Sequence, residues 1–281
     1  MSKWSIQNAI INPEVSTMPD YVYAIIGTAI IFAATTLGSA LVFFFGKKGL
    51  TKKVARIFTG FAAGVMLSAA FFGLLKPAIF ESNVTYMPPS VIAGISVLVG
   101  ALFLWGIDKL VPHLHVNNNE EGIKTRHLNK DQKMFLAVTI HNIPEGLSVG
   151  VAFGVALANP GNNTLLMGAL FLAVGIGIQN VTEGAAVSLP IKADTGKSMK
   201  AFLFGMFSGI VEPIAAVIGL FFAMEIQEVM PWALAFAAGC MIYVVAEEMI
   251  PEIKESEHDH LGVWAFIIGF ITMMMLDCIQ F

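Results

Sequence analysis

Long apolar runs separated by short polar breaks recur along almost the whole chain. Eight are long enough to cross a bilayer as helices: 21–45, 54–79, 89–111, 133–157, 164–190, 200–223, 230–250 and 260–280. The breaks carry turn and charge residues, among them Gly46–Gly49, Pro88–Pro89, Asn159–Asn163 and Lys192–Lys197. This pattern predicts an all-α membrane protein forming one domain, 1–281, with eight spans. Residues 1–20 hold one lysine, two prolines and no apolar core, so no cleavable signal peptide is expected there.

An even number of spans puts both termini on one side. Alternate breaks hold Lys47, Lys48, Lys52, Lys53 and Arg56, then Lys109, Lys124, Arg126, Lys130 and Lys133, then Lys192, Lys197 and Lys200, then Lys254. These are 14 of the 16 Lys and Arg residues, leaving Lys3 and Lys76 for the other face. The positive-inside bias makes the first group cytoplasmic and both termini extracytoplasmic. A seven-span count would scatter this asymmetry.

Composition agrees: 56% of the 281 residues are hydrophobic and 13% charged, about half the charge of a soluble domain. Cys240 and Cys278 stand apart inside apolar runs, so a thiolate metal site is not expected. No G-x-x-x-x-G-K-[ST] loop is present, which argues against ATP hydrolysis. Neither an organic cofactor nor a nucleic-acid partner is expected; the bilayer is.

The chemistry lies mid-span. Two near-duplicate motifs, His141-Asn142-Ile143-Pro144-Glu145-Gly146 and Gln179-Asn180-Val181-Thr182-Glu183-Gly184, occupy spans four and five, and Glu212 sits in span six. A charged side chain at mid-bilayer costs roughly 2.5–3.5 kcal/mol even on lenient insertion scales. A lone intramembrane glutamate is often protonated and bonded to a neighbouring helix. Here three occur together, two in matching frames, with no mid-span Lys or Arg to neutralise them. A cation passing between them is the better reading.

Four-residue spacing puts His141 and Glu145 on one helical face, with Asn142 about 100° round. Pro144 is expected to free the carbonyl of Ile140. At about 1.5 Å per residue, antiparallel spans four and five set His141 level with Glu183, and Glu145 level with Gln179. Imidazole with carboxylate suits Zn²⁺, Fe²⁺ or Mn²⁺; carboxylates and amides alone suit Mg²⁺ or Ca²⁺ better.

Other polar residues carry two readings each. The loop 112–132, with His113, His115 and His127, and the tail with His258 and His260 fit a metal-sampling segment or a solvated linker equally. Glu247 and Glu248 fit an acidic exit or a helix-end cluster. Asp108 and Lys109 read as an interfacial pair, Glu81 beside Lys76 as a surface residue or an entrance, and Met66 as core. Glycines at four-residue spacing (Gly60/Gly64, Gly150/Gly154, Gly205/Gly209) read as packing seams.

The duplicated motifs, with Ser208-Gly209-Ile210-Val211-Glu212-Pro213, resemble the ZIP (Zrt/Irt-like) metal transporters, and among these the GufA-type bacterial branch. That resemblance implies uptake of Zn²⁺, with Fe²⁺, Mn²⁺ and Cd²⁺ as further cargo, into the cytoplasm across a cell membrane (the inner membrane in a bacterium). It implies a two-metal site: His141, Glu145, Gln179 and Glu183, with Met66 nearby, at one ion; Asn142, Glu145, Asn180, Glu183 and Glu212 at the other. It also implies a homodimer, and movement of a site-bearing bundle against a scaffold. Two positions depart from the pattern: Thr182 where relatives often carry proline, and Asn180 where they often carry aspartate. An intramembrane zinc hydrolase and a proton-coupled exporter are the rival readings.

Overall fold

The computed structural model describes residues 18–44, 51–80, 84, 86–110, 113–114, 120–121, 130–225, 229–253 and 260–278. Helices α1 to α8 follow the eight apolar runs. They are α1 (Asp20–Ala40, closing in a 3₁₀ turn, Leu41–Phe43), α2 (Lys52–Ser68, continuing to Phe80), α3 (Pro89–Leu110) and α4 (Lys130–Ala158). Then come α5 (Asn163–Thr195), α6 in two pieces (Ser198–Ser208 and Val211–Glu225), α7 (Met230–Val244, continuing to Ile253) and α8 (Leu261–Cys278). Seven are long and apolar enough to cross a membrane, and the apolar stretch Leu261–Asp277 of α8 is shorter. The loop histidines His115 and His127, like His258, lie outside the described residues. In the same loop His113–Leu114 pairs antiparallel with Glu120–Glu121.

Proline shapes several of these rods. It lacks an N–H, and its ring crowds the carbonyl four residues back. In α2 the segment Ala69–Leu75 widens to a π-turn, with Lys76 N–H bonding Phe71 O just before Pro77. In α7 the segment Val245–Met249 does the same, with Ile250 N–H bonding Val245 O just before Pro251. Widening the turn moves the crowded carbonyl away from each ring. Pro144 and Pro190, by contrast, sit inside continuous helix. The helix continues through Pro144, where one lost bond is outweighed by the bonds on either side. For the same reason α5 runs through Pro190 to Thr195, past the expected end at 190, and stops at Gly196, whose φ of 70° needs no Cβ.

The helices sort into two groups of four. Within one, α1 packs on α5 and α4 on α6; within the other, α2 packs on α8 and α3 on α7. Glycine makes the intimate contacts. A Cβ on Gly150 would overlap the backbone of Ala216, one on Gly38 that of Val181, one on Gly64 that of Phe266, and one on Gly100 that of Phe236. All four seams lie inside a group. Across the divide, the described glycines meet the flexible ends of side chains instead: Gly73 faces Leu172, and Gly175 faces Met273. Small-residue seams weld helices by close van der Waals approach, whereas side-chain contacts leave room to slide.

The outward faces are apolar. Leu98, Leu102 and Trp105 on α3, Ile214, Ile218 and Phe221 on α6, and Trp264, Ile268 and Met275 on α8 are all exposed. Such area is far larger than a water-soluble surface tolerates and matches lipid. Lys76 Nζ lies 3.5 Å from Asp277 of α8, and the Glu81 reading falls outside the described residues. One ion-pair expectation needs correcting, that of Asp108 with Lys109. Asp108 is buried while Lys109 is exposed, so the two point apart instead of pairing at the interface; successive helical residues diverge by about 100°.

Candidate metal centre

Helix α4 contributes His141, Asn142 and Glu145, with Asn142 and Glu145 fully buried. Helix α5 meets them at the levels its rise dictates. Gln179 Nε2 donates to Glu145 Oε1. Across the same pair of helices the Glu145 and Glu183 carboxyls meet, and Glu183 lies beside His141. The helix is unbroken at Thr182, whose hydroxyl donates to the carbonyl of Gln179 at 2.6 Å.

The break that matters is in α6. Pro213 has no N–H to give the carbonyl of Gly209, and the chain leaves the α-helix at Gly209 and Ile210. Glu212 N–H bonds Gly209 O at 3.0 Å, three residues back. The carbonyl of Ser208 loses that helical donor and instead accepts from Asn142 Nδ2 at 3.0 Å. A proline in α6 thereby fixes which way an amide in α4 points. Gly146 makes the contact close enough, since α6 crosses it at the backbone of Glu212.

With the amide N–H groups of Asn142 and Gln179 so engaged, their oxygens are left over. Asn142 Oδ1, Gln179 Oε1, Asn180 Oδ1, Glu145 Oε2, Glu183 Oε2 and Glu212 Oε2 are all buried without a hydrogen-bond partner. A buried unsatisfied polar group costs about 1–3 kcal/mol, more when charged. The Asn180 Nδ2 amide is buried without a partner beside them, but one amide cannot satisfy six acceptors, so the cluster suits a positive guest. Among the described residues no three His, Cys, Asp or Glu side chains close on a point by themselves. The set fits a dication only as carboxylates completed by amide oxygens, the chemistry of hard or borderline cations.

His141 points elsewhere as well. Its Nε2 lies 2.6 Å from Glu248 Oε1 on the π-turn of α7, and Asp108 of α3 is near enough to feel its charge. Glu247 remains exposed while Glu248 turns inward. Of the two readings for this pair, Glu248 leaves the helix-end cluster and joins the site. The π-turn before Pro251 is the sequence signal for it, because a widened turn shifts side-chain phase and often marks a functional site. Met66 is buried in the apolar core, three residues before the π-turn of α2. Thr35 of α1 escaped sequence reasoning: its hydroxyl reaches Glu212 Oε1 at 2.6 Å. A threonine in an otherwise apolar run was the available hint.

A sequence model described as ZIP zinc transporter matches residues 21–134 and 132–277. The chain belongs to the ZIP family. Zinc transporter ZIP11 of Xenopus tropicalis is 34% identical, the match covering 90% of this chain and 96% of that protein. Zinc transporter ZIPB of Bordetella bronchiseptica is 32% identical over 91% of this chain and 80% of its own length. The GufA likeness read from the motifs is present too: Zinc transporter GufA of Myxococcus xanthus is 34% identical over 64% of this chain and 68% of that protein. The ZIP relatives are transporters, not enzymes, and the duplicated motifs fall within the matched segments.

Proposed function

We propose that this protein carries divalent metal cations, zinc foremost, across a cell membrane and into the cytoplasm. Fe²⁺, Mn²⁺ and Cd²⁺ are the further cargo, and the ions bind as substrate. The six unpartnered buried oxygens on α4, α5 and α6 carry this reading. Relatives named as zinc transporters support zinc. A modest site without thiolate suits a carrier, which must let its cargo go.

In this reading all eight helices cross. The apolar stretch of α8 has 17 residues and rises about 25 Å, enough for a thin or locally compressed bilayer. Both termini then face outward, and the basic loops face the cytoplasm. Glu145 and Glu183 bridge two ions. One has His141 and Gln179 as further ligands with Met66 at its edge, and the other has Asn142, Asn180 and Glu212. The His141–Glu248 contact, with Asp108 nearby, makes an inward way out. Transport moves the α1/α4/α5/α6 group against the other four helices, since the glycine seams hold each group together and not the divide. The working unit is a homodimer.

The binuclear reading has a direct test. Asn180→Asp adds a carboxylate at the second ion, where a unit charge at 4 Å is worth on the order of 4 kcal/mol at an effective dielectric of 20. Desolvation of the new carboxylate offsets part of that. The variant should bind a second zinc at least about tenfold more tightly and turn over more slowly, as measured by calorimetry and flux. An unchanged stoichiometry and rate would leave one ion, not two.

The function itself is tested by metal flux in proteoliposomes, in both directions, with a pH gradient on and off. Inward zinc movement is expected. Outward movement driven only by a proton gradient would favour an exporter. No movement, with hydrolysis of a membrane substrate, would favour a hydrolase, a reading that also wants more than the single mid-membrane histidine at 141.

A further inference from the structure

Helix α1 offers no carboxylate or imidazole to the site, yet it packs against α5 and α6, which carry Glu183 and Glu212. Thr35 is fully buried. Its hydroxyl oxygen is 2.6 Å from Glu212 Oε1 and 3.2 Å from the carbonyl of Ile31. A hydroxyl has one proton to donate, and the shorter contact is the stronger claim on it. The surroundings are equally close-fitting. Gly184, next to Glu183, leaves room for the backbone carbonyl of Thr35, and Gly209, in the break of α6, lies under its methyl group: a Cβ there would come within 2.8 Å of Thr35 Cγ2. Ser39 ties the same turn to α5, donating to Thr35 O at 2.8 Å and lying 3.4 Å from Gly184 O.

We propose that Thr35 is a positioning residue for the transported cation: its hydroxyl holds one oxygen of Glu212 so that the other faces the ion. The assignment rests on the reading that Glu212 is a ligand. Glu212 Oε1 is then engaged, and Oε2, buried beside the Asn180 amide, is the oxygen left to face the ion. Thr35 makes Glu212 a one-oxygen ligand of fixed aim. Without the hydroxyl the carboxylate is free to turn. A partner that orients a ligand is worth about 10- to 100-fold in metal affinity.

The experiment is Zn²⁺ titration of the full-length protein in nanodiscs by calorimetry, paired with zinc uptake in proteoliposomes. Thr35→Val keeps the branched shape and removes the donor, and should weaken zinc binding about 10- to 100-fold and raise the KM for uptake. Thr35→Ser keeps the donor and should bind within about threefold of wild type, well short of that loss. In a Glu212→Ala background Thr35→Val should do no further harm, because the two act as one unit. If Thr35→Val does not fold, the pair Thr35→Ser and Thr35→Ala gives the same comparison, since both lose the methyl and only one keeps the hydroxyl. Wild-type affinity in Thr35→Val, with a loss in Glu212→Ala, overturns the role of Thr35 and leaves the site standing. Equal losses in the serine variant and in the valine or alanine variant also overturn it. No loss in Glu212→Ala overturns the ligand reading and this proposal together.

Discussion

Glu183→Ala is expected to reduce zinc flux to the level of empty liposomes while the protein still inserts and purifies as wild type does. Glu183 meets the second central carboxylate and lies beside the histidine, so its removal takes charge from the middle of the site. It is only partly buried, and its contact across the helices is with Glu145, itself in the site. Its loss therefore costs binding more than packing. In the membrane, removing an uncompensated buried charge is itself favourable. The check is flux per mole of inserted protein beside a thermal midpoint in the same detergent. Normal flux would mean that the cation travels by another route.

The second large effect is expected from a methyl group. At Gly146 a Cβ would stand 2.7 Å from Glu212 Cα and overlap the backbone carbonyl of the same residue. Backbone cannot rotate away as a side chain does, so Gly146→Ala must push α6 off α4. Overpacking of this kind costs about 1–3 kcal/mol, at times more, and here it also displaces a ligand. Flux should fall severely and the thermal midpoint should drop. The control is Gly94→Ala on α3, where a Cβ meets nothing within 4 Å and alanine improves helix propensity by about 1 kcal/mol. That variant should transport normally. Equal effects at both glycines would show that the seam has no special weight.

These contrasts mark where the sequence was informative. Helix ends were legible within a few residues, the end of α5 at Thr195 apart, because hydrophobicity and breaker residues act locally. The level matching of Glu145 with Gln179 was legible for a similar reason: rise per residue is fixed, and a short loop forces adjacent helices antiparallel. Lateral neighbours were not legible. Glu212 could be placed at a depth, but the approach of α1 to α6 is set by Gly184, Gly209 and Thr35 fitting together, and no spacing rule reports that. Prolines shape the helices in three ways. Each lacks the same N–H, yet Pro144 and Pro190 are absorbed, Pro77 and Pro251 widen a turn, and Pro213 opens the helix. The outcome depends on what can donate to the carbonyl left over. At Ser208 that donor is the side-chain amide of Asn142, from another helix.

Transport as proposed requires one polar hollow between α4, α5 and α6 that holds the cation in transit. Anomalous scattering from crystals grown with Zn²⁺ tests this most directly, since it identifies the ion and counts the sites together. The expected result is density at coordination distance from both Glu145 and Glu183. Zinc found only at the loop histidines, with those two carboxylates turned away from each other, would contradict it.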